Sequence, residues 1–261
     1  MAGADELLAA GDLEGVRTAL VAAVKARPDD AGARNFLFQV LALNGEWDKA
    51  TTQVKSLASL DPEMQMNAVV VSQLVEAERH RASAFAGQGA FPVLASTGPW
   101  TDQLAEALGA YARGDAEAGD AARDAAFDAA EDTPGDCDGV AFDWIADADP
   151  RFGPSFEAIV GGRWGIVPFA AVTSITSEGP QDLRDLIWLP VQIALRSGQS
   201  AAGFLPARYP GSETADADLR LGRRTDWRAS PAGETGLGQK VWTLGGDSDV
   251  GLLDFRNLTF S

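Results

Sequence analysis

The chain has 261 residues, with 38 acidic side chains against 21 basic ones and a formal net charge of −17. So acidic a chain lacks the basic surface that nucleic acids and anionic membranes require, and neither partner is expected. Hydrophobic residues make up 46% of the sequence, which is enough for a buried core and excludes a disordered chain.

Cysteine usage and the first residues predict the compartment. Cys137 is the single cysteine, so an internal disulfide framework is excluded and a reducing compartment is expected. The first residues contain acids and no basic segment, which is not the pattern of a secretory signal. No apolar run approaches the roughly 20 residues that span a bilayer. The sequence therefore predicts a soluble cytoplasmic protein.

The N-terminal region contains a repeat with a period of 34 residues. The matching pairs are Gly11-Asp12 with Gly45-Glu46, and Arg27-Pro28 with Asp61-Pro62. Paired helices at this period are typical of tetratricopeptide repeats. Asp12 and Asp30 are expected to be helix N-caps, and Gly45 is expected to end a helix over Ala31–Asn44.

Further helices are predicted over Pro62–Ala86, Trp100–Arg113 and Ala116–Ala130, with a loop over Gln88–Pro99. Stacked helix pairs form a superhelix with a concave groove, and such grooves bind helices through apolar anchors. The apolar residues that we predict to bind a partner there are Leu13, Leu20, Phe36, Val40, Trp47 and Val54.

The character of the chain changes at the polar, turn-rich stretch Glu131–Gly139. Short apolar runs separated by turns follow it, so we predict a helical domain over residues 1–138 and a mostly β, α+β domain over 139–261. Strands are expected at Phe156–Val160, Trp164–Phe169, Ala171–Ser177, Val191–Leu195, Ala201–Leu205, Lys240–Leu244 and Gly251–Leu258, with Gly245–Asp249 as a strand connection. The predicted fold class is a tetratricopeptide-like α-helical repeat domain followed by this second domain.

The residue types in the chain give little support for a catalytic site. His80 is the only histidine, and we expect Arg79, His80 and Arg81 to lie together on a solvated helix face. A catalytic triad would have to use it, and a zinc site needs more His and Cys than the chain has. The carboxylates of Asp136 and Asp138 flank Cys137 and raise its thiol pKa. We therefore predict no catalytic residue, no metal and no cofactor.

One acidic cluster leaves two interpretations open. Asp143, Asp147 and Asp149 lie close together, with Arg151 and Glu157 nearby. Carboxylates at this spacing can bind Mg²⁺ or Ca²⁺, which would suit a metal- or phosphate-dependent enzyme. The alternative is that Asp147 and Asp149 cap helices or pair with Arg151, and fix a loop at the junction between the domains.

A basic cluster near the C-terminal end also leaves two interpretations open. Arginines and aromatic residues concentrate at protein interfaces, so the cluster could bind an acidic partner. Alternatively, its arginines could neutralise nearby carboxylates, namely those of Asp182, Asp185, Glu213, Asp216 and Asp226. The cluster consists of Arg208, Tyr209, Arg220, Arg223, Arg224 and Trp227, and all of these except Arg220 are predicted to bind a partner.

Several long motifs resemble one known family. The stretches DLRDLIWLP, PARYPGSE and LRLGRRTDW resemble the C-terminal signature of the ImpE/TagJ proteins, which are accessory proteins of the bacterial type VI secretion system. Further matching text lies at Phe142–Phe169, Gly236–Trp242 and Leu252–Leu258. The N-terminal helices match more loosely.

The resemblance implies a non-enzymatic adaptor with a helical N-terminal and an α/β C-terminal region. Proteins of this family are associated with the contractile sheath, and the implied partners are a helical segment of the small sheath subunit TssB and the sheath-disassembling ATPase ClpV. A general tetratricopeptide scaffold for an unrelated partner remains the alternative to this role.

Overall fold

The N-terminal half is a stack of antiparallel helices. The computed structural model describes residues 2–245 and 248–261. Its helices are α1 (Ala2–Ala9), α2 (Leu13–Ala26), α3 (Ala31–Leu43), α4 (Trp47–Leu60), α5 (Gln65–Phe85), α6 (Pro99–Ala112) and α7 (Ala116–Ala129), with a 3₁₀ turn at Pro62–Met64 before α5. Each helix from α1 to α5 packs on the next. The predicted helices and their pairing are confirmed.

The glycines and the aspartate caps that were predicted to bound the helices act as expected. Gly11 and Gly45 both have positive φ, at 77° and 69°, which reverses the chain between paired helices at no steric cost. Asp12 Oδ1 accepts a hydrogen bond from the backbone N–H of Gly15 at 2.8 Å, and Asp30 Oδ1 accepts one from Ala33 at 2.9 Å. Both N-cap predictions are confirmed.

The Asp30→Ala substitution is expected to lower the free energy of unfolding by about 1 kcal/mol, because the first turn of α3 loses its side-chain acceptor. Asp29→Ala is the matched control, since Asp29 is exposed and lies directly before the cap. Urea unfolding of both variants measures the difference. Equal stability of the two variants would contradict the capping role.

The C-terminal half is built from antiparallel strands. They are β1 (Gly135–Cys137), β2 (Val140–Phe142), β3 (Ile145–Asp147), β4 (Ser155–Val160), β5 (Arg163–Pro168), β6 (Val172–Thr176), β7 (Trp188–Leu195), β8 (Ser200–Pro206), β9 (Thr225–Ser230), β10 (Gly233–Gly238), β11 (Val241–Leu244), β12 (Ser248–Gly251) and β13 (Asn257–Phe260), with a short helix α8 (Ala217–Arg220). Within the described residues, the main sheet has eight strands in the order β2-β1-β13-β6-β7-β8-β4-β5. The other sheets are β12-β11-β3 and the hairpin β9-β10.

Most predicted strands are present, and one is wrong. The hairpins around Gly161-Gly162 and Ser197-Gly198 form as expected. The strand predicted over Gly251–Leu258 is instead largely a turn, in which Asp254 N–H donates to the Gly251 carbonyl at 2.9 Å. The prediction failed because the buried apolar side chains of this turn have the same sequence pattern as a buried strand. The hairpin β9-β10 was not predicted. Of the connection predicted at 245–249, Ser248 and Asp249 belong instead to β12, and residues 246 and 247 lie outside the described residues.

The change from helix to sheet lies slightly before the predicted boundary. Helix α7 ends at Ala129, and β1 already pairs with β13 at Cys137 and Leu258. Residues 135–137 therefore belong to the sheet, and the boundary proposed after residue 138 falls inside the β1–β2 turn. Burial raises the pKa of the Cys137 thiol to about 11, with smaller contributions from Asp138 and Asp136.

The two halves share one of the two apolar cores among the described residues, and the other lies within the C-terminal half. Trp164, Ile166 and Trp188 come from strands, yet they are buried in the cluster that contains the apolar side chains of α2 to α5. The loop predicted over 88–99 adds to this junction, because Leu94 N–H donates to the Ile166 carbonyl at 2.9 Å. Among the described helices, none is both long and apolar enough to cross a membrane.

Candidate functional site

The predicted groove residues lie inside the helical stack. Leu13, Leu20, Val40 and Val54 are each at most 2% exposed. Their side chains hold successive helices together, and Phe36 and Trp47 are partly buried beside them. In this conformation the four aliphatic side chains are core residues, so a partner would contact the surface around them rather than the residues themselves.

The chain's own segment Asp182–Trp188 covers part of this helical surface. Leu183 N–H donates to Gln39 Oε1 of α3 at 2.9 Å. The Trp188 ring lies 5.7 Å from the Trp47 ring of α4, measured between centroids. The most recognisable motif of the sequence is therefore a docking segment between the two halves.

A short 3₁₀ turn gives this segment its shape. Asp182 Oδ1 accepts from the backbone N–H of Arg184 at 3.1 Å, and Asp185 Oδ2 accepts from the backbone N–H of Asp182 at 3.2 Å. This reciprocal capping box satisfies donors that would otherwise be orphaned at the start of the turn. It presents Leu183 and Trp188 to the helices.

A buried ion-pair network crosses the junction and is centred on Glu157 of β4. Arg81 of α5 donates from Nε and Nη2 to the two carboxylate oxygens of Glu157 at 2.7 and 2.8 Å. Lys240 Nζ lies 2.9 Å from Glu157 Oε2, and Trp164 Nε1 donates to Oε1 at 2.7 Å. Burial alone would raise the pKa of Glu157, but the charges of Arg81 and Lys240 hold it well below its usual range.

The network continues from Lys240 to a second buried carboxylate. Lys240 Nζ lies 3.2 Å from Asp147 Oδ2, while Asp147 Oδ1 accepts from the Tyr209 hydroxyl at 2.9 Å. The next acid along the chain, Asp149, pairs with Arg151 at 2.6 Å. Each buried acid thus has a cationic partner, as burial of charge requires.

Burial raises the pKa of Asp147 from its ordinary value of 3.8 to about 6, although Lys240 opposes the shift. Because the folded-state pKa is the higher one, the folded protein binds more protons than the unfolded chain between about pH 4 and pH 6. The contribution of Asp147 to stability therefore falls as pH rises through this window. Glu157 has the opposite shift, and its contribution is lost only as pH falls below its ordinary value of 4.5.

We expect Asp147→Asn to remove this dependence. Relative to the variant, the wild type should lose about 1 to 3 kcal/mol of unfolding free energy between pH 4 and pH 6. Urea unfolding of both proteins across this range measures the difference, and groups that titrate identically in both proteins cancel. Parallel pH profiles would show that Asp147 does not titrate as the geometry indicates.

The sequence prediction for Arg81 was wrong. Arg79 and His80 are exposed as expected, but Arg81 is 6% exposed. A signal was present, because Glu78 and Arg81 continue the buried stripe of α5 that includes Val71, Leu74 and Val75. Ionisable residues on an apolar stripe indicate buried pairing. Lys240, which directly precedes the apolar run of β11, carried a similar signal.

The acidic cluster does not have the geometry of a metal- or phosphate-dependent site. Asp143 is exposed. Asp147 and Asp149 are buried, and they pair with Lys240 and Arg151 respectively. Among residues 2–245 and 248–261, no group of three or more acids, histidines or cysteines is arranged to hold a metal ion. Asp149 pairs with Arg151 at the junction between the domains, as the alternative interpretation predicted, and Asp147 pairs with Lys240.

The basic cluster mainly docks the second half onto helix ends. Arg208 is 5% exposed, and its Nη1 donates to the Leu43 carbonyl at the end of α3 at 3.1 Å. Arg223 Nη2 donates similarly to the Leu8 carbonyl in the last turn of α1 at 3.3 Å. Cations at helix C-termini complement the helix dipole. Burial lowers the pKa of Arg208 to about 10.

The exposed members of the cluster pair with neighbouring acids. Arg223 Nη1 lies 3.2 Å from Asp218, and Arg224 Nη2 lies 2.7 Å from Asp216. Arg224 also pairs with Asp226. Tyr209 is buried, whereas Trp227 remains 40% exposed. Of the acids predicted to be neutralised by this cluster, Asp216 and Asp226 pair with it, whereas Asp182 and Asp185 pair with Arg184. The predicted partner-binding residues that stay accessible are Arg223, Arg224 and Trp227.

Comparisons with known proteins agree in family and fold. A model of the family described as ImpE protein matches residues 139–259. The type VI secretion system accessory component TagJ of Pseudomonas aeruginosa is 38% identical over 260 residues, which cover 98% of this chain and 90% of that protein. A crystal structure of a Vibrio parahaemolyticus protein is similar with a TM-score of 0.88 and 25% identity, over 99% of this chain and 97% of the other.

Proposed function

Because the chain belongs to the ImpE/TagJ family of type VI secretion accessory proteins, we propose that it is an adaptor for the contractile sheath. In this proposal it binds a helical segment of the small sheath subunit TssB in the cytoplasm and assists recycling of used sheath by the ATPase ClpV. The observation that carries the proposal is the 38% identity to an accessory component along nearly the whole chain.

The chemistry of the molecule supports an adaptor rather than an enzyme. The buried carboxylates of Asp147, Asp149 and Glu157 are each paired with a cation at the junction, where they stabilise the fold. A junction held by buried ion pairs and apolar contacts between a helical stack and a sheet is a suitable scaffold for holding a partner segment. The net charge of −17 favours encounter with a basic segment.

Binding of the purified full-length chain to TssB of its own organism tests the proposal. We expect binding to intact TssB and loss of binding when the N-terminal helix of TssB is deleted. Calorimetry or fluorescence anisotropy measures both affinities. No binding to intact TssB at high micromolar concentrations would overturn direct sheath recognition.

The ATPase part of the proposal has a separate test. Sheath assembled from TssB and its partner subunit is incubated with ClpV and ATP, with and without the chain. We expect the chain to change the disassembly rate at saturating concentration. An unchanged rate, together with intact TssB binding, would confine the role to the sheath.

A further inference from the structure

Helix α5 has an apolar stripe on its open side as well as on its buried side. Met66 is 72% exposed and Val69 is 52% exposed, while the neighbouring Val70 is partly buried. With Gln73 these side chains follow the i, i+3, i+4, i+7 spacing of one helix face. Large apolar side chains grouped in this way mark an interaction surface more often than scattered ones do.

A cleft lies between this face of α5 and the main sheet. It has a volume of about 630 Å³ and is lined by Val70 and Leu74 from the helix and by Ile159, Pro190 and Phe204 from the strands. A second hollow of about 550 Å³, beside Val69, shares residues Gln73, Gly161 and Gly162 with the cleft. We call the two together the α5 trough.

The sheet face beside α5 is only partly covered. Trp188 and Pro190 are alternate residues of β7, so they lie on the same face of the sheet. The helical half buries Trp188, whereas Pro190 and the next residue on that face, Gln192, are exposed. A sheet covered by helices normally has them side by side in one layer, and the trough has the position of such a neighbouring helix.

Other surfaces that the sequence indicated are largely engaged by the chain itself, although Trp227 stays exposed. Segment Asp182–Trp188 lies against α3 and α4, and the basic cluster is engaged with helix ends and neighbouring acids. The trough remains an open concave surface. Its charged lining residues are Glu178 in the cleft and Lys55 and Glu76 in the second hollow, in a chain of net charge −17.

We propose that the α5 trough docks an amphipathic helix of a partner protein, with the apolar face of that helix against α5 and the sheet and with basic residues on its polar face. The helical form follows from the position of the trough, which lies beside α5 on the part of the sheet face where a neighbouring helix would pack. The basic character follows from Glu178 in the cleft and from the net charge of −17, since Glu76 in the second hollow is already paired with Arg79. This inference rests on the proposed adaptor function and assigns its surface.

Two exposed positions allow a test without disturbing the fold. Val69→Arg and Ala202→Arg each place a bulky cation in the trough, one from α5 and one from β8. Val140→Arg is the matched control, because Val140 is also 52% exposed but lies on β2, at the opposite edge of the sheet. Circular dichroism and urea unfolding establish that all three variants fold.

Two probes are used with the full chain. The first is intact TssB. The second is a Leu/Lys amphipathic helical peptide of about 14 residues, a common helix length, with a Leu/Glu counterpart. We expect Val69→Arg and Ala202→Arg to weaken binding of TssB and of the Leu/Lys peptide at least about tenfold, a change of about 1.4 kcal/mol. Val140→Arg should leave both affinities unchanged, and the Leu/Glu peptide should bind more weakly than the Leu/Lys peptide.

The outcomes separate the two proposals. If TssB binds equally well to wild type and to both trough variants, the trough is not the docking surface, although the adaptor function stands. If TssB does not bind wild type, the adaptor proposal fails, and binding of the Leu/Lys peptide alone tests whether the trough docks a helix. Peptide binding that is insensitive to both trough variants, or equal for the Leu/Lys and Leu/Glu peptides, would overturn the inference.

Discussion

The Glu157→Gln variant is expected to lose about 3 to 5 kcal/mol of unfolding free energy, because two buried cations lose their common counter-ion. Glutamine keeps the size of the side chain but not its charge. Arg81 and Lys240, at most 7% exposed in their side chains, would then remain charged in a site with little water. Urea unfolding followed by tryptophan fluorescence measures the loss.

A surface ion pair on α5, the helix that carries Arg81, provides the control. Glu76 pairs with Arg79 where both side chains are largely exposed, at 60% and 42%. Glu76→Gln is therefore expected to cost less than about 1 kcal/mol. If the two variants were equally stable, the Glu157 network would contribute no more than an exposed ion pair, and the junction would depend on apolar contacts alone.

Trp188→Ala is expected to destabilise the protein by about 3 to 5 kcal/mol, because it removes a large side chain that is 1% exposed at the centre of the junction. The indole contacts Trp47, and its Nε1 donates to the buried carboxylate of Glu78 at 3.0 Å. The variant therefore creates a cavity and also leaves Glu78 without this donor. Thermal and urea unfolding measure the loss.

Two further substitutions separate these causes. Trp188→Phe keeps most of the apolar volume and removes only the donor to Glu78, so a loss of about 1 to 3 kcal/mol is expected. Trp227→Ala removes a tryptophan that is 40% exposed and should change stability much less. An equal effect at positions 188 and 227 would contradict the central place of Trp188.

Local signals predicted the helices well because each is encoded within a few turns of chain. The glycines and caps at Gly11-Asp12 and the 34-residue period locate α2 and its partners without any tertiary information. Strands with strong turns, such as β4 and β5 around Gly161-Gly162, were predictable for the same reason. The false strand at Gly251–Leu258 shows the limit, since a buried turn and a strand can share an apolar pattern.

The site-level predictions were harder, because the partner of a charged side chain is seldom near it in sequence. Arg81 and Glu157 are 76 residues apart, and the carbonyl that Arg208 caps belongs to Leu43, 165 residues away. Sequence neighbours suggested exposure for Arg81 and a binding surface around Arg208. The buried stripe of α5 was a local indication that Arg81 faces the interior, and no comparable stripe surrounds Arg208.

The sequence by itself determined the family, the helical repeat and the order of helix before sheet, because motifs, caps and periodicity are local properties of the chain. The tertiary structure alone decided that the DLRDLIW segment lies on the helices and that most arginines of the basic cluster dock or neutralise their own chain. It also decided which apolar face of α5 stays open. Packing between distant segments buries or pairs some charged and apolar side chains and leaves others exposed. No local sequence pattern predicts which side chains these are.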